Sequence, residues 1–428
     1  MEPKVQLIVA IIIFIGTYAL IMSEKIHRSL VALGGGILML LLGILNFEEA
    51  KRAIELNTIG LLIGMMIIVG ITRKTGVFEY LAIKAARWAQ GRPFKIMLAL
   101  SAITALVSAL LDNVTTVLLV VPVTFSIVYA LELNPIPFLI SEIMASNIGG
   151  TATLVGDPPN IMIGSAVPAL TFMKFATNLA PINVVIFFVN AGLLCWIFRK
   201  ELIYNEKLAA KMNTMNPIEK IKDFALMKKS LWVIGFTIVG FVLQQFLHWD
   251  SSVVALAGAV VLMIIAREEP EEVFLSVEWP SIFFFVGLFV LVGGLEKVGV
   301  IRAIAGGALK LTGGAMVTTS MLILWLSAIS SALIDNIPFV ATMIPLIKTM
   351  GQMGAITNLE PFWWALSLGA CLGGNGTLIG ASANVIVAGI AEKNGVIMSF
   401  WGFTKVAFPL MIVSILISTA YIYLAYLV

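Results

Sequence analysis

Apolar residues along this chain do not alternate, nor recur on one helical face. They run on for stretches near the ~20 residues that cross a bilayer core. Such runs occupy 5–23, 29–46, 57–72, 137–168, 180–198, 229–248, 252–267, 280–295, 361–391 and 403–427, and each predicts a membrane helix. Two more, 95–131 and 315–351, are interrupted midway by polar residues. Residues 77–92 read as an amphipathic interfacial helix, too charged to span. Between 199 and 229 lies the one long polar segment, with eight Lys/Arg and four acids, and it divides the chain into near-equal halves.

Composition agrees with a membrane as the solvent. Hydrophobic residues make up 60% of the 428 and charged ones 12%, against about 25% charged in soluble domains. Mean hydropathy is +1.03. No small-residue cleavage site follows the first run, so Val5–Met22 reads as a resident helix rather than a removable signal peptide. The net charge of +3 is dispersed and points to no nucleic acid. Basic residues (Lys25, Arg28, Arg73, Lys74, Lys84, Arg87, Arg92, Lys95 and the central segment) share one side if the linker is cytoplasmic and the N-terminus outside.

A shift of 223 residues lays the second half on the first. SALLDNVTTVLLVVPV from Ser108 meets SALIDNIPFVATMIPL from Ser331, with Asp112/Asp335, Asn113/Asn336 and Pro122/Pro345 identical. Upstream the same shift matches Gly64/Gly287, Gly70/Gly293 and Gly76/Gly299. Downstream, at 224, Gly149/Gly373, Gly150/Gly374, Thr153/Thr377, Gly156/Gly380 and Asn160/Asn384 coincide. An odd number of spans per half inverts the second half, and inverted repeats with interrupted helices are the signature of secondary transporters. The expected fold is an all-α polytopic membrane protein with two inverted repeats, about ten transmembrane helices, two re-entrant hairpins and two unwound helices. The first repeat covers 1–200, a cytoplasmic linker 201–228 and the second repeat 229–428.

The interruptions hold the candidate chemistry. Asp112, Asn113, Thr115 and Thr116 sit mid-stretch between arms of about 15 residues, suited to a hairpin whose tip faces a wet cavity. Asp112 and Asp335 are also good helix N-caps, and a cap there stands at the positive end of a half-helix. Asn336 shares the second tip. Gly149, Gly150, Thr151, Thr153, Asp157 and Asn160, with Asn147 just before them, break one helix, and Gly374, Asn375, Thr377, Ser382 and Asn384 break its mate. These groups and freed carbonyls are read as substrate-binding, against the plainer alternative of close packing through small residues. Asp112, Asp157, Asp335 and Glu142 are candidates for proton or ion coupling, since acids inside a membrane are costly and usually functional. Asp112 is expected to lead, because its half also holds Glu142 and Asp157, and Asp335 to matter less. For Glu142 a place near the cytoplasmic surface is the other option.

LDNVTTVLLVVPVT from Leu111 and SNIGGTATLVGDPPNIMI from Ser146 resemble the arsenite permease/NhaD-type antiporter family (ArsB/NhaD) of the ion transporter superfamily, especially its P-permease branch. The resemblance runs over essentially the whole chain. It implies a dimer with an elevator-like transport domain, and either an ion gradient or a separate soluble ATPase subunit as energy source. The cargo it implies is a small inorganic solute with coupling H+ or Na+. Dicarboxylate carriers of that superfamily have Ser-Asn-Thr tips, where this chain has Asp112-Asn113-Val114 and Asp335-Asn336-Ile337, which argues against a dicarboxylate. No phosphate-binding G-x-x-x-x-G-K-[ST] string is present, which removes an intrinsic ATP-driven pump. Two Cys and two His on distant segments give no thiol–metal cluster, and no metal or cofactor is expected. An intramembrane aspartyl protease is the rival class, but duplication explains the paired aspartates without chemistry. The expectation is a non-enzymatic, multi-pass plasma (inner) membrane transporter: proton-coupled efflux of arsenite or antimonite as the neutral hydroxide, with a sodium/proton antiporter as alternative.

Overall fold

A computed structural model describes residues 2–23, 25–204, 216–354, 356 and 358–428. Residues 205–215 of the expected linker, with Lys207 and Lys211, lie outside the described residues. Among the described residues all regular structure is helical. In chain order the first half runs α1 (Pro3–Ser23), α2 (Arg28–Leu41), α3 (Phe47–Ala53), α4 (Leu56–Lys74), α5 (Val77–Trp88), α6 (Pro93–Ser108), α7 (Asn113–Ala130), α8 (Ile136–Thr151), α9 (Pro158–Ala166) and α10 (Phe172–Ile197). After a 3-10 turn the second half repeats the order: α11 (Phe224–Leu247), α12 (Ser251–Ala266), α13 (Pro270–Phe274), α14 (Trp279–Lys297), α15 (Val300–Thr312), α16 (Met316–Leu333), α17 (Asn336–Gln352), α18 (Glu360–Gly373), α19 (Ser382–Lys393) and α20 (Phe400–Ile422). The sequence shift returns as structure, since α4 and α14, like α7 and α17, begin 223 residues apart (279 − 56 and 336 − 113).

Neighbour relations repeat with the halves exchanged, as a two-fold rotation requires. Helix α2 packs on α14 and α12 on α4; α6 packs on α8 and α16 on α18; α7 packs on α19 and α17 on α9. Glycines set the closest crossings. A Cβ on Gly287 would fall 2.4 Å from the Ala32 backbone, and one on its mate Gly64 would fall 2.6 Å from that of Ala255. Without side chains there, backbones touch, which is how apolar helices associate where lipid removes the hydrophobic drive. The packing sorts the helices into two groups: α1–α4 with α11–α14, and α6–α9 with α16–α19. In 77–92, α5 is amphipathic and does not count among the candidate spans, and it buries Val77, Phe78, Ala82, Ile83 and Ala86, packing on α6 and α7.

Among the described residues, eight helices are long and apolar enough to cross a membrane. One arm of each expected hairpin, α7 and α16, is among them, while α2 and α12 are apolar but shorter. Each broken pair (α8 with α9, α18 with α19) supplies one interrupted run, so the multi-pass architecture stands with two helix pairs, α6–α7 and α16–α17, meeting at short turns.

Candidate functional site

The two turns carry the tips. Asp112 caps α7, its Oδ1 accepting from the Thr115 backbone N–H at 2.8 Å and its Oδ2 from the Thr115 hydroxyl at 2.6 Å. Thr116 turns its hydroxyl back to the Asp112 carbonyl at 2.9 Å. Asp335 caps α17 through the Ile337 N–H at 3.1 Å, but Pro338 stands where tip one has Thr115 and offers no hydroxyl. Its other oxygen instead accepts from Arg28 Nη1 at 2.7 Å and from the Ser382 hydroxyl at 2.7 Å. Arg28 also donates to Ser382 and lies over the Phe284 ring.

Behind the tips, both helix breaks are held by their own amides. Asn160 donates to the Thr151 and Thr153 carbonyls at 3.1 and 2.9 Å, and Asn384 to those of Gly374 and Thr377 at 2.8 and 2.9 Å. The Asn160 oxygen accepts from Ser367 at 2.5 Å. The hydroxyls of Thr153 and Thr377 each bond a carbonyl of the preceding hairpin, Ala109 and Ala332, at 2.5 Å. Asn147 joins the halves: it accepts from Asn113 at 3.0 Å and donates to Asn375 at 2.9 Å and Asn384 at 3.1 Å. Freed backbone polar groups at this depth therefore find protein partners, as a low-dielectric interior demands. Three atoms do not. Asp157 Oδ2, Asn336 Nδ2 and Asn375 Nδ2 are buried without a hydrogen-bond partner.

Asp157 and Asn336 line an inner pocket of about 30 Å³ with Arg28, Asp112, Asn113, Glu278, Ser281 and Ser382. The pocket sits on the pseudo-two-fold, since Leu62/Phe285, Asn113/Asn336, Val114/Ile337 and Pro158/Ser382 line it as repeat-related pairs. Six helices start here: α2 at Arg28, α7 at Asn113, α9 at Pro158, α14 just after Glu278, α17 at Asn336 and α19 at Ser382. Four of the six start behind an acid (Asp112, Asp157, Glu278, Asp335), which compensates the positive helix end. Arg28 and Ser382 also line a half-open cavity of about 310 Å³, walled by Ile21, Leu333, Ile379 and Ile386. The Arg28–Asp335–Ser382 cluster is thus the partition between an outer vestibule and the inner pocket.

The family model of the citrate transporters (CitMHS) matches residues 18–369. The chain belongs to this family. An uncharacterized transporter of Mycobacterium tuberculosis is 44% identical over 98% of this chain and 99% of its own length. The human P protein is 34% identical over 99% of this chain, which spans 60% of that longer protein. The crystal structure of the Alcanivorax borkumensis YdaH transporter superposes with a TM-score of 0.61 at 13% identity, covering 100% of this chain and 99% of that one. A secondary transporter and a multi-pass membrane protein are what these findings carry, and an enzyme is not. The arsenite permease/NhaD resemblance narrows to this broader kinship with the P protein; arsenite specificity gains nothing from it.

Of the expected site residues, Asp112, Asn113, Asp157, Asn336 and Ser382 line the inner pocket, and Asp335 lines the vestibule. Asn147, Thr151, Thr153, Asn160, Asn375, Thr377 and Asn384 form the buried scaffold behind it. Gly149 is a packing position, since a Cβ would meet the Ala105 carbonyl at 2.2 Å, as one on Gly373 would meet that of Ala328 at 2.5 Å. Gly150 and Gly374 hold the breaks closed against the Gly156 and Gly380 carbonyls. Glu142 is buried and is not among the residues lining the inner pocket; Thr124 donates to one of its oxygens at 2.5 Å. Arg28 and Glu278 were not legible as site residues. Arg28 reads as one more basic residue beside a span. Glu278 had a signal: its mate at the same shift, Glu55, is also Glu, and both precede a long helix.

Proposed function

We propose that this protein carries a small organic anion of the citrate class, coupled to protons taken up by the acids of the pocket. The observation that supports this reading is the convergence of six helix N-termini and one guanidinium on a single pocket. With Asp112, Asp157, Glu278 and Asp335 ionised, the acids offset the helix ends. With protons on them, the N–H ends and Arg28 are left facing an anion, which is the usual partner of a helix N-terminus. Cargo and protons therefore bind together, and coupling follows from charge balance. A neutral arsenic or antimony trihydroxide needs neither the six N-termini nor Arg28. A vestibule of about 310 Å³ is within the range of small-molecule sites.

Alternating access follows from the repeats. Glu278 and Ser281 of α14 line the pocket, while Glu55 of α4, the mate of Glu278, lines a separate cavity with Ala341 and Lys348. The group carrying the tips is thus displaced toward one end of the other group. Exchanging the halves gives the opposite displacement, with Glu55 and Thr58 at the pocket. We read this as an elevator-like movement of α6–α9 and α16–α19 against α1–α4 and α11–α14, with inverted repeats at 1–200 and 229–428. A second reading, sodium/proton antiport, is favoured by the carboxylate-rich inner pocket, whose volume of about 30 Å³ suits a water or a small cation.

The test is uptake into proteoliposomes of the full chain. Labelled citrate should accumulate when an inward proton gradient is imposed, and an excess of unlabelled di- and tricarboxylates should compete. Sodium-driven proton movement with no organic anion flux would replace this reading with the antiporter.

A further inference from the structure

The two tips present equivalent aspartates to unequal partners. Asp112 is satisfied inside its own turn, by Thr115. Asp335 is satisfied across the boundary between the two helix groups. Its partner Arg28 begins α2, which packs on α14, whereas Asp335 and Ser382 begin α17 and α19 of the tip-bearing group. The repeat-related mates of Arg28 and Ser382 are Ser251 and Pro158, neither of which carries a positive charge, and the Ser251 hydroxyl donates to Gln244 instead. The side chain of Arg28 is 30% exposed and that of Asp335 15%, so the pair is partly desolvated but reachable from the vestibule. Beside Asp335 in the vestibule are Arg28 and His27 at the start of α2, and the inner pocket behind holds Glu278 before α14, Asp157 before α9 and Asp112 before α7. Among these the only permanent cation is Arg28.

We propose that Arg28 is a positioning residue that latches the tip-bearing group in this displacement while Asp335 is ionised, and that a proton on Asp335 releases it. The proposal rests on the two-group movement argued above. The charge logic is direct. A guanidinium holds a carboxylate through charge-assisted hydrogen bonds, and a carboxylic acid only weakly. When Asp335 takes a proton, the link to Arg28 loses its ionic part and Arg28 turns free to face an incoming anion from the vestibule. Empty and unprotonated, the carrier stays where it is; loaded with proton and anion, it moves. One residue would thus forbid slippage of the unloaded site.

The test is hydrogen–deuterium exchange of the full chain in lipid nanodiscs, with no substrate. Peptides spanning 26–32 and 334–340 report the latch, and a peptide within 139–148 of the buried α8 reports folding. In the wild type at neutral pH the latch peptides should be protected, the pair existing only while Asp335 is charged. Asp335→Asn, the neutral stand-in for the protonated acid, and Arg28→Gln should exchange about tenfold faster at the same pH, while Arg28→Lys restores part of the protection. Asp112→Asn, a change at an acid bonded only within its own turn, should leave the latch peptides as protected as in the wild type. Wild-type protection in Arg28→Gln would overturn the proposal. Should that variant also lose the α8 protection, Asp335→Asn decides, and wild-type protection of the latch peptides there with α8 protected overturns it. No cargo enters this assay, so a failure of citrate uptake would remove the substrate reading and leave the latch standing.

Discussion

Tip one and tip two share Asp-Asn at the start of a broken helix, yet the first is closed on itself and the second is tied to another part of the molecule. Thr115 makes the difference on one side and Pro338 on the other. A hydroxyl three residues after the aspartate completes a local cap, whereas a proline there removes that donor and leaves one carboxylate oxygen in need of a partner. Arg28 and Ser382 supply it. Duplication produced two like acids, and small substitutions beside them assigned the acids different work. The acid-rich first half made Asp112 the expected carrier of the coupling proton. The latch proposed above exchanges those roles, giving Asp335 the control of movement, while Asp157 is buried in the inner pocket with one free oxygen.

The comparison is open to attack at several points. Asp335→Asn should cost most, lowering uphill uptake by about a hundredfold, because it strips a partly buried guanidinium of its counter-charge. Initial uptake rates in proteoliposomes measure this, and a larger loss in Asp112→Asn than in Asp335→Asn would invert the assignment. Asn113→Ala comes next. It removes an amide that reaches Asn147 and Asp157, so uptake should fall about tenfold, the worth of roughly 1–3 kcal/mol for a buried polar partner. Asn336, whose amide nitrogen has no partner, should be less sensitive to the same change at saturating cargo. Equal losses at both positions would show that the tips are not differentiated.

A gain-of-symmetry change sharpens the contrast further. Pro338→Thr gives tip two the hydroxyl that tip one has, letting Asp335 close on itself at the expense of Arg28. Tip protection in hydrogen exchange should then drop about fivefold, the size of one net hydrogen bond, and unaltered protection would mean that Pro338 does not decide Asp335's partner. Smallest is Thr115→Val, which removes one hydroxyl from an acid that keeps its backbone donor. A loss of about 1 kcal/mol in stability, read as a small fall in melting temperature, should leave transport near wild type. A collapse of transport would place Thr115 in contact with the cargo.

Much of this molecule was written along the chain. Apolar runs set the helices because an unpaired peptide group in hydrocarbon costs several kcal/mol, and the helix pairs every group locally. Asp112, Asn113, Asp335 and Asn336 could be singled out because a polar residue in such a run is expensive and its recurrence at a fixed shift is improbable by chance. The same reasoning overreached at Gly149 and Gly150. Small residues serve a ligand's approach and a helix crossing equally well, and only the Ala105 carbonyl 2.2 Å from a notional Cβ separates the two. It missed Arg28 for the opposite reason: at the end of a run a basic residue looks like a headgroup anchor, and nothing local tells which way it turns.

Local and short-range energetics determined what the sequence alone settles here: the helices, their breaks, the two-fold repetition and the caps at the tips. Tertiary structure decided which equivalents remain equivalent. Asp335 meets Arg28 across 307 positions of sequence because packing brings the start of α2 to the start of α17, and Glu278 lines the inner pocket while its mate Glu55 lines a separate cavity. A repeat encodes both placements alike. Only the packed chain, which must choose one of them at a time, breaks the tie.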